Sequence, residues 1–397
     1  MGEIQIPSGF PIDLHNQLCY AEYVGVVGRT TPFLLILQEK TAMEENKELT
    51  RHDQLKYRLK RRISPELFEA MPIELQDYLM ELDPADIKEA YLNTLLKLPW
   101  LSDRSIPDVD LPYAKKMLDK THYAMFDIKE KILRYMACQK HLGKNYGAVL
   151  LLVGPPGVGK TSIASSIAKA MGRPFIKISL AGISDSLFLR GTQTIFKDAR
   201  VGRIVDALIR GKSFCPLILL DEIDKMGDSK EHGDPESVLL DVLDSDRSKF
   251  VDNFLGFSMD LSNVIFIATA NRLEPLSPIL KDRLDIIQLP PYKPVDKKRI
   301  VEQHMWPRLL VEYKLDCLDY LVDPMQETLC HPESLRLEED AVDEMIRRCP
   351  EEGVRNLERL CRQLCESVIG TYYATGELVS SIDLPTMLRL LDPIYYK

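Results

Sequence analysis

Residues 149–161 read Val149-Leu150-Leu151-Leu152-Val153-Gly154-Pro155-Pro156-Gly157-Val158-Gly159-Lys160-Thr161. An apolar run of strand character ends in a glycine-rich turn, the turn ends in Lys-Thr, and a helical pattern follows. This is G-x-x-x-x-G-K-[ST] with the strand before it and the helix after it that the motif requires. Glycines let successive backbone N–H groups point inward around a phosphate, and the N-terminus of the next helix adds positive partial charge. Gly154, Pro155, Pro156, Gly157, Val158, Gly159, Lys160, Thr161 and Ser162 therefore form the candidate nucleotide-binding set, a Walker A loop. Lys160 is placed to reach the β- and γ-phosphates of ATP, and the Thr161 hydroxyl to hold Mg²⁺.

A phosphate cradle alone hydrolyses nothing. The second part is Leu217-Ile218-Leu219-Leu220-Asp221-Glu222-Ile223-Asp224, an apolar strand that delivers carboxylates at its C-terminal end. Ligands of open α/β sheets sit at those ends. Asp221 is the candidate Mg²⁺ residue, acting through water, and Glu222 the residue that orients and polarises the attacking water, as in a Walker B strand. The third part is Phe266-Ile267-Ala268-Thr269-Ala270-Asn271, where a strand ends in an amide that could bond the γ-phosphate or the lytic water. By itself an asparagine at a strand end signals only a turn.

Around these motifs strands and helices alternate. Strand character appears at 175–180, 217–220, 264–269 and 285–289, and helical character at 202–209 and 236–243. That alternation predicts a parallel sheet with helices on both faces. After Pro290 the strand signal stops. Residues 296–306, 338–348, 354–373 and 382–391 read as helices, with an irregular stretch over 317–337. Upstream, 113–142 returns to helical spacing, 102–112 reads as a linker, and 44–97 as helical with starts at Ser64-Pro65 and Asp83-Pro84. A small hairpin is expected within 1–43. The expected fold is α/β: a P-loop NTPase sheet sandwiched by helices over 111–292, an all-α lid over 293–397, a helical N-terminal region over 44–110, and a short segment 1–43.

The 397 residues carry 51 Lys and Arg against 60 Asp and Glu, a net charge of -9, which disfavours general nucleic-acid affinity. The basic run Lys56 to Arg62 leaves a local nucleic-acid contact open beside its plainer reading as a solvated helix face. Eight cysteines are scattered without C-x-x-C spacing, which predicts free thiols in a reducing compartment. Cys361 and Cys365 stand one helical turn apart and read as core rather than metal ligands. No apolar run reaches membrane-spanning length and the N-terminus lacks a signal-peptide pattern, so a cytoplasmic protein without membrane contact is expected.

Several longer runs carry a resemblance. They are Leu98-Pro99-Trp100, Leu118 to Tyr123, Leu151 to Thr161, Arg190-Gly191, Leu219 to Met226, Gly233-Asp234-Pro235 with Leu239 to Asp244, and Gly353 to Arg359. Over about 90–392 the chain resembles the AAA+ ATPase module of the Lon protease family. The resemblance implies that Asn271 is sensor 1, that Arg355 is sensor 2 on the lid, and that Arg283 is the finger that reaches a neighbour's nucleotide. Such a finger is worth roughly 10³ to 10⁵ in rate. Acting in trans, it implies a homo-oligomeric ring, a hexamer. The resemblance also places Phe196 where the family carries its pore-loop aromatic, a ring that grips a threaded protein substrate without reading sequence. Lys197 follows where the family usually has an aliphatic residue, which alters the grip. Burial of Phe196 in the core is the plainer alternative.

The departures matter as well. The chain stops at Pro393-Ile394-Tyr395-Tyr396-Lys397, about where a Lon protease domain would begin, so no Ser–Lys dyad and no peptide-bond cleavage are expected. A separate protease or effector partner would then use the motor. Competing readings are a nucleic-acid remodeller or defence ATPase, a nucleotide-switched scaffold, and a piece of a longer Lon-type protease.

Overall fold

A computed structural model describes residues 62–81, 88–143, 145, 149–227, 233–244, 247–318 and 334–391. The hairpin expected within 1–43, the basic run up to Arg61, the start at Asp83-Pro84 and most of 317–337 lie outside the described residues. Helices α1 (Pro65–Glu69), α2 (Ile73–Glu81) and α3 (Glu89–Lys97) come first. Ser64 starts α1 by accepting the Leu67 N–H on its hydroxyl at 3.2 Å. The contacts discussed below fall within the larger compact unit, residues 69–77 and 88–397.

The helical spacing over 113–142 resolves into two helices, α4 (Leu111–Thr121) and α5 (Phe126–Leu142), a correction to the single run expected. Asp110 caps α4 by accepting the Tyr113 N–H, and Ala124 and Met125 take left-handed φ of 55° and 58° in the break. Heptad-like spacing continues across such a break, so periodicity alone does not reveal it.

The α/β layer follows: β1 (Val149–Val153), α6 (Lys160–Ala170), β2 (Phe175–Ser179), α7 (Leu187–Arg190), α8 (Arg203–Gly211), β3 (Leu217–Asp221), α9 (Pro235–Leu243), β4 (Phe250–Val251), β5 (Ser258–Met259), β6 (Ile265–Ala270), α10 (Pro278–Asp282) and β7 (Leu284–Gln288). Five strands form one parallel sheet in the order β2-β3-β6-β1-β7. Its central strands are buried along their whole length, as sheets covered on both faces require. Leu150, Leu152, Leu217, Leu219, Ile265 and Ile267 share one face with Leu118, Ile132, Met136, Ile163 and Ile167. Leu151, Ile218, Leu220 and Phe266, of opposite parity, are equally buried. Each such aliphatic side chain contributes about 1.5–3 kcal/mol by leaving water. The antiparallel pair β4–β5 lies outside this sheet and has no sequence signal, because two residues per strand cannot show a period.

The C-terminal part comprises α11 (Pro294–Ile300), α12 (Trp306–Tyr313), β8 (Arg336–Leu337), α13 (Glu339–Arg348), α14 (Arg355–Thr375), β9 (Ser381–Ile382) and α15 (Leu384–Leu391). Two expectations are corrected here. The helix expected to stop at Trp306 runs on to Tyr313, because a π turn over Val301–Met305 lets the Trp306 N–H bond Val301 O and absorbs Pro307. The lid expected as purely helical also holds the parallel pair β8–β9. Trp306, Leu309, Met345, Leu357, Leu364, Val368 and Met387 form its core together with Cys361 and Cys365. Burial pushes both thiols up, Cys365 to about 12, as expected of packing side chains rather than metal ligands. Among the described residues no helix is long and apolar enough to cross a membrane.

Candidate nucleotide site

Strand order brings three strand tips side by side. β6 lies between β1 and β3, with Val153 beside Ala270 and Leu220 beside Ala268. The Walker A loop leaves β1, Glu222 follows β3 and Asn271 follows β6. Three segments far apart in sequence therefore meet at one sheet edge.

Lys160 opens α6 and folds back over the loop. Its ammonium donates to Gly154 O at 2.5 Å, to Pro155 O at 2.9 Å and to Asn271 Oδ1 at 2.9 Å. Burial lowers its pKa, and the nearby carboxylates of Asp224, Asp221 and Glu222 work against that shift. Thr161 Oγ1 stands 3.5 Å from Asp221 Oδ1. Two hard oxygen donors at that separation suit a shared hydrated Mg²⁺. The Ser162 hydroxyl turns away from the loop, to His122 Nε2 at 3.1 Å.

Four residues that sequence reading did not single out complete the acidic side. Thr269, fully buried on β6, donates its hydroxyl to Asp221 Oδ1 at 2.5 Å and accepts the Glu222 N–H at 3.0 Å. One hydroxyl thus orients both carboxylate-bearing residues. Lys177 on β2 pairs with Asp221 Oδ2 at 2.5 Å. Lys225 pairs with Glu222 Oε1 at 2.5 Å. Glu222 itself holds φ 59°, a left-handed conformation that is costly for a residue with a side chain and that clusters at functional sites. Asp224 Oδ2 accepts the N–H groups of Asn271 at 3.0 Å and Arg272 at 3.3 Å, which fixes the turn that aims the Asn271 amide. Asn271 also lines a cleft of about 560 Å³ with Val153, Arg272, Pro275 and Gln288.

The lid reaches the same loop. Val354 N–H donates to Gly157 O at 3.1 Å, and Tyr292 OH donates to Val158 O at 3.1 Å. A Cβ built on Gly157 would lie 3.0 Å from the Cβ of Arg355, so Arg355 begins α14 directly over the Walker A loop. Tyr292 N–H bonds Glu352 O, and the buried ammonium of Lys297 donates to Cys349 O and Glu351 O, which ties the turn before Arg355 to the start of the lid.

Three of the sequence candidates lie elsewhere. Arg283 precedes β7 at the opposite edge of the sheet, where Leu284 pairs with Val149, and its guanidinium pairs with Asp244 at 2.6 Å. Phe196 is not in the core: it is 57% exposed on the loop between α7 and α8, between exposed Ile195 and Lys197.

Residues 150–292 match the model of the ATPase family associated with various cellular activities (AAA). The chain is 44% identical over 272 residues to "Lon protease homolog 2, peroxisomal" of Zea mays, covering 68% of this chain and 29% of that protein. It is 38% identical over 325 residues to "Lon protease" of Syntrophus aciditrophicus (strain SB), covering 80% of this chain and 39% of that protein. It is 36% identical over 352 residues to "Lon protease" of Endomicrobium trichonymphae, covering 87% of this chain and 42% of that protein. The chain therefore spans well under half the length of these relatives.

Proposed function

We propose, from an AAA+ ATPase module of the Lon type, that the chain hydrolyses ATP with Mg²⁺ in a homohexameric ring to unfold, thread or remodel protein substrates. The observation that carries this reading is the meeting of Lys160 with Asn271, and of Thr161 with Asp221, at adjoining strand tips. The Walker A backbone and Lys160 hold the β- and γ-phosphates. Thr161 and Asp221 hold the metal, which when bound neutralises charge on those phosphates. Glu222 orients the attacking water. Asn271 shares the Lys160 ammonium, so it would position the γ-phosphate and the attacking water together. Arg355, on the lid over Gly157, reports nucleotide occupancy to α14. Phe196 and Lys197 meet the substrate polypeptide.

Glu222→Gln should retain affinity for a fluorescent ATP analogue and lose turnover by about 10² or more. ATP hydrolysis by the purified variant at the wild-type rate would remove Glu222 from its role. Casein-stimulated ATPase, lost in Phe196→Ala while basal turnover persists, tests the substrate half of the reading.

A further inference from the structure

The loop that displays Phe196 leaves the core at Gly191 and returns at Gly202. Its own bonds are few: Thr192 donates its N–H to Arg200 O at 3.0 Å and its hydroxyl to the same oxygen at 3.5 Å, Arg200 N–H donates to Thr192 Oγ1 at 3.0 Å, and Phe196 N–H to Gln193 O at 3.1 Å. Its neck, by contrast, is tied from below by the turn between β4 and β5. Asp252 is 0% exposed. Its Oδ2 accepts the Gly202 N–H at 2.7 Å, and its Oδ1 accepts the N–H groups of Phe254 at 2.9 Å and Leu255 at 3.2 Å. The next residue grips the other side of the neck. Asn253 N–H donates to Arg190 O at 2.7 Å, and its side-chain amide donates to Gly191 O at 3.0 Å.

The turn is anchored in two directions. On one side, Tyr91 OH of α3 donates to Leu255 O at 2.9 Å, the Tyr91 and Phe254 rings lie 5.6 Å apart, and Lys88 donates to Thr194 O in the loop itself. On the other side, the chain runs from β5 into β6, the strand that Asn271 follows. A carboxylate withdrawn from water is costly unless it is fully bonded. Here three backbone donors meet it, and one of them belongs to the loop neck.

We propose that Asp252 is a positioning residue which, with Asn253, locks the neck of the Phe196 loop to the hairpin leading into the Asn271 strand, so that a shift at the nucleotide site moves the loop instead of being absorbed by it. The inference rests on reading Phe196 as the substrate contact. Asp252→Asn keeps the shape but replaces one acceptor by a donor, so either Gly202 N–H or the Phe254 and Leu255 N–H groups face another donor.

The test pairs hydrogen–deuterium exchange over 191–202 with casein-stimulated ATPase on the full chain, in wild type, Asp252→Asn and Phe196→Ala. Exchange at the neck should speed up roughly 10- to 100-fold in Asp252→Asn. Its casein-stimulated increment should fall to that of Phe196→Ala, while basal kcat and KM for ATP stay within about twofold. Unchanged exchange, or faster exchange with stimulation intact, overturns the proposal. So does a parallel loss of basal kcat and thermal stability, which would mark Asp252 as merely structural. If Asp252→Asn does not fold, Asn253→Ala releases Gly191 O without touching the buried carboxylate, and the same two readouts apply. Stimulation that survives in Phe196→Ala strikes the threading reading itself, whereas the exchange result still decides whether Asp252 holds the neck.

Discussion

His122 sits behind the Walker A helix with its imidazole out of water, Nδ1 beside Thr121 Oγ1 at 2.9 Å and Nε2 beside Ser162 Oγ at 3.1 Å. Burial first, then the Lys129 charge and His304, pulls its pKa down from 6.5 to about 4. The unfolded chain takes up this proton near pH 6.5 and the folded chain only near pH 4. Between those values the unfolded state binds more protons, so stability is complete above pH 6.5 and is lost as pH falls toward 4. The limit is on the order of 3 kcal/mol. Asp252 runs the other way, since burial raises it from 3.8 to about 6 and its ionisation disfavours the fold. The two partly cancel in the wild type, so the comparison must be made with a variant. His122→Gln can still bond Ser162 and should flatten the loss of melting temperature between pH 7 and pH 4.5. Parallel melting curves for variant and wild type across that range would remove His122 as the source.

At the scale of elements, the contact between α14 and the Walker A loop is close enough to be tested by one methyl group. A Cβ on Gly353 would fall 2.2 Å from Pro156 O and 2.6 Å from the Gly157 carbonyl carbon, both backbone atoms that cannot rotate away. Gly353→Ala should therefore push the start of α14 and Arg355 off the loop, weaken a fluorescent ADP analogue by about tenfold, and leave both hydrophobic cores folded. Unaltered affinity would show that the lid does not contribute to holding nucleotide. The same contact shows what sequence makes legible. Strands β1, β3 and β6 were readable because a sheet buried on both faces leaves continuous apolar runs, such as Val149 to Val153, directly before polar tips. Thr269, Lys177, Lys225 and Asp224 were not, because each acts on a carboxylate or turn that only strand register or a local turn brings beside it. Thr269 in particular looks like any β-branched strand residue until β6 is set beside β3. The helix read over 296–306 ends short of the observed one because nothing in the sequence there announces the π turn that accommodates Pro307.

The position of Arg283 is a statement about the whole molecule. It lies a full strand length from the Walker A loop of its own chain, roughly 16 Å along β7 at strand rise, because Leu284 pairs with Val149 while Gln288 pairs with Val153. Its partner Asp244 is 38% exposed and Arg283 itself 40%. Such a surface pair is worth about 1 kcal/mol or less, so it gives way easily to a phosphate. If the arginine serves the nucleotide of an adjoining copy, two defects should complement each other. Arg283→Ala leaves Glu222 intact, and Glu222→Gln leaves Arg283 intact. Each variant alone should be nearly inactive. Mixed in equal amounts and allowed to exchange subunits, about one interface in four joins an intact Glu222 to an intact Arg283 in a head-to-tail ring. ATPase in the mixture should then rise toward a quarter of the wild-type rate, read at fixed total protein after equilibration with Mg-ATP. An arginine that served its own subunit would leave the mixture at the average of the two inactive variants, because no subunit would carry both groups. The height of the recovered rate also reports on independence among sites: a value well below a quarter means that one defective neighbour silences a working interface, as a ring that fires in sequence requires.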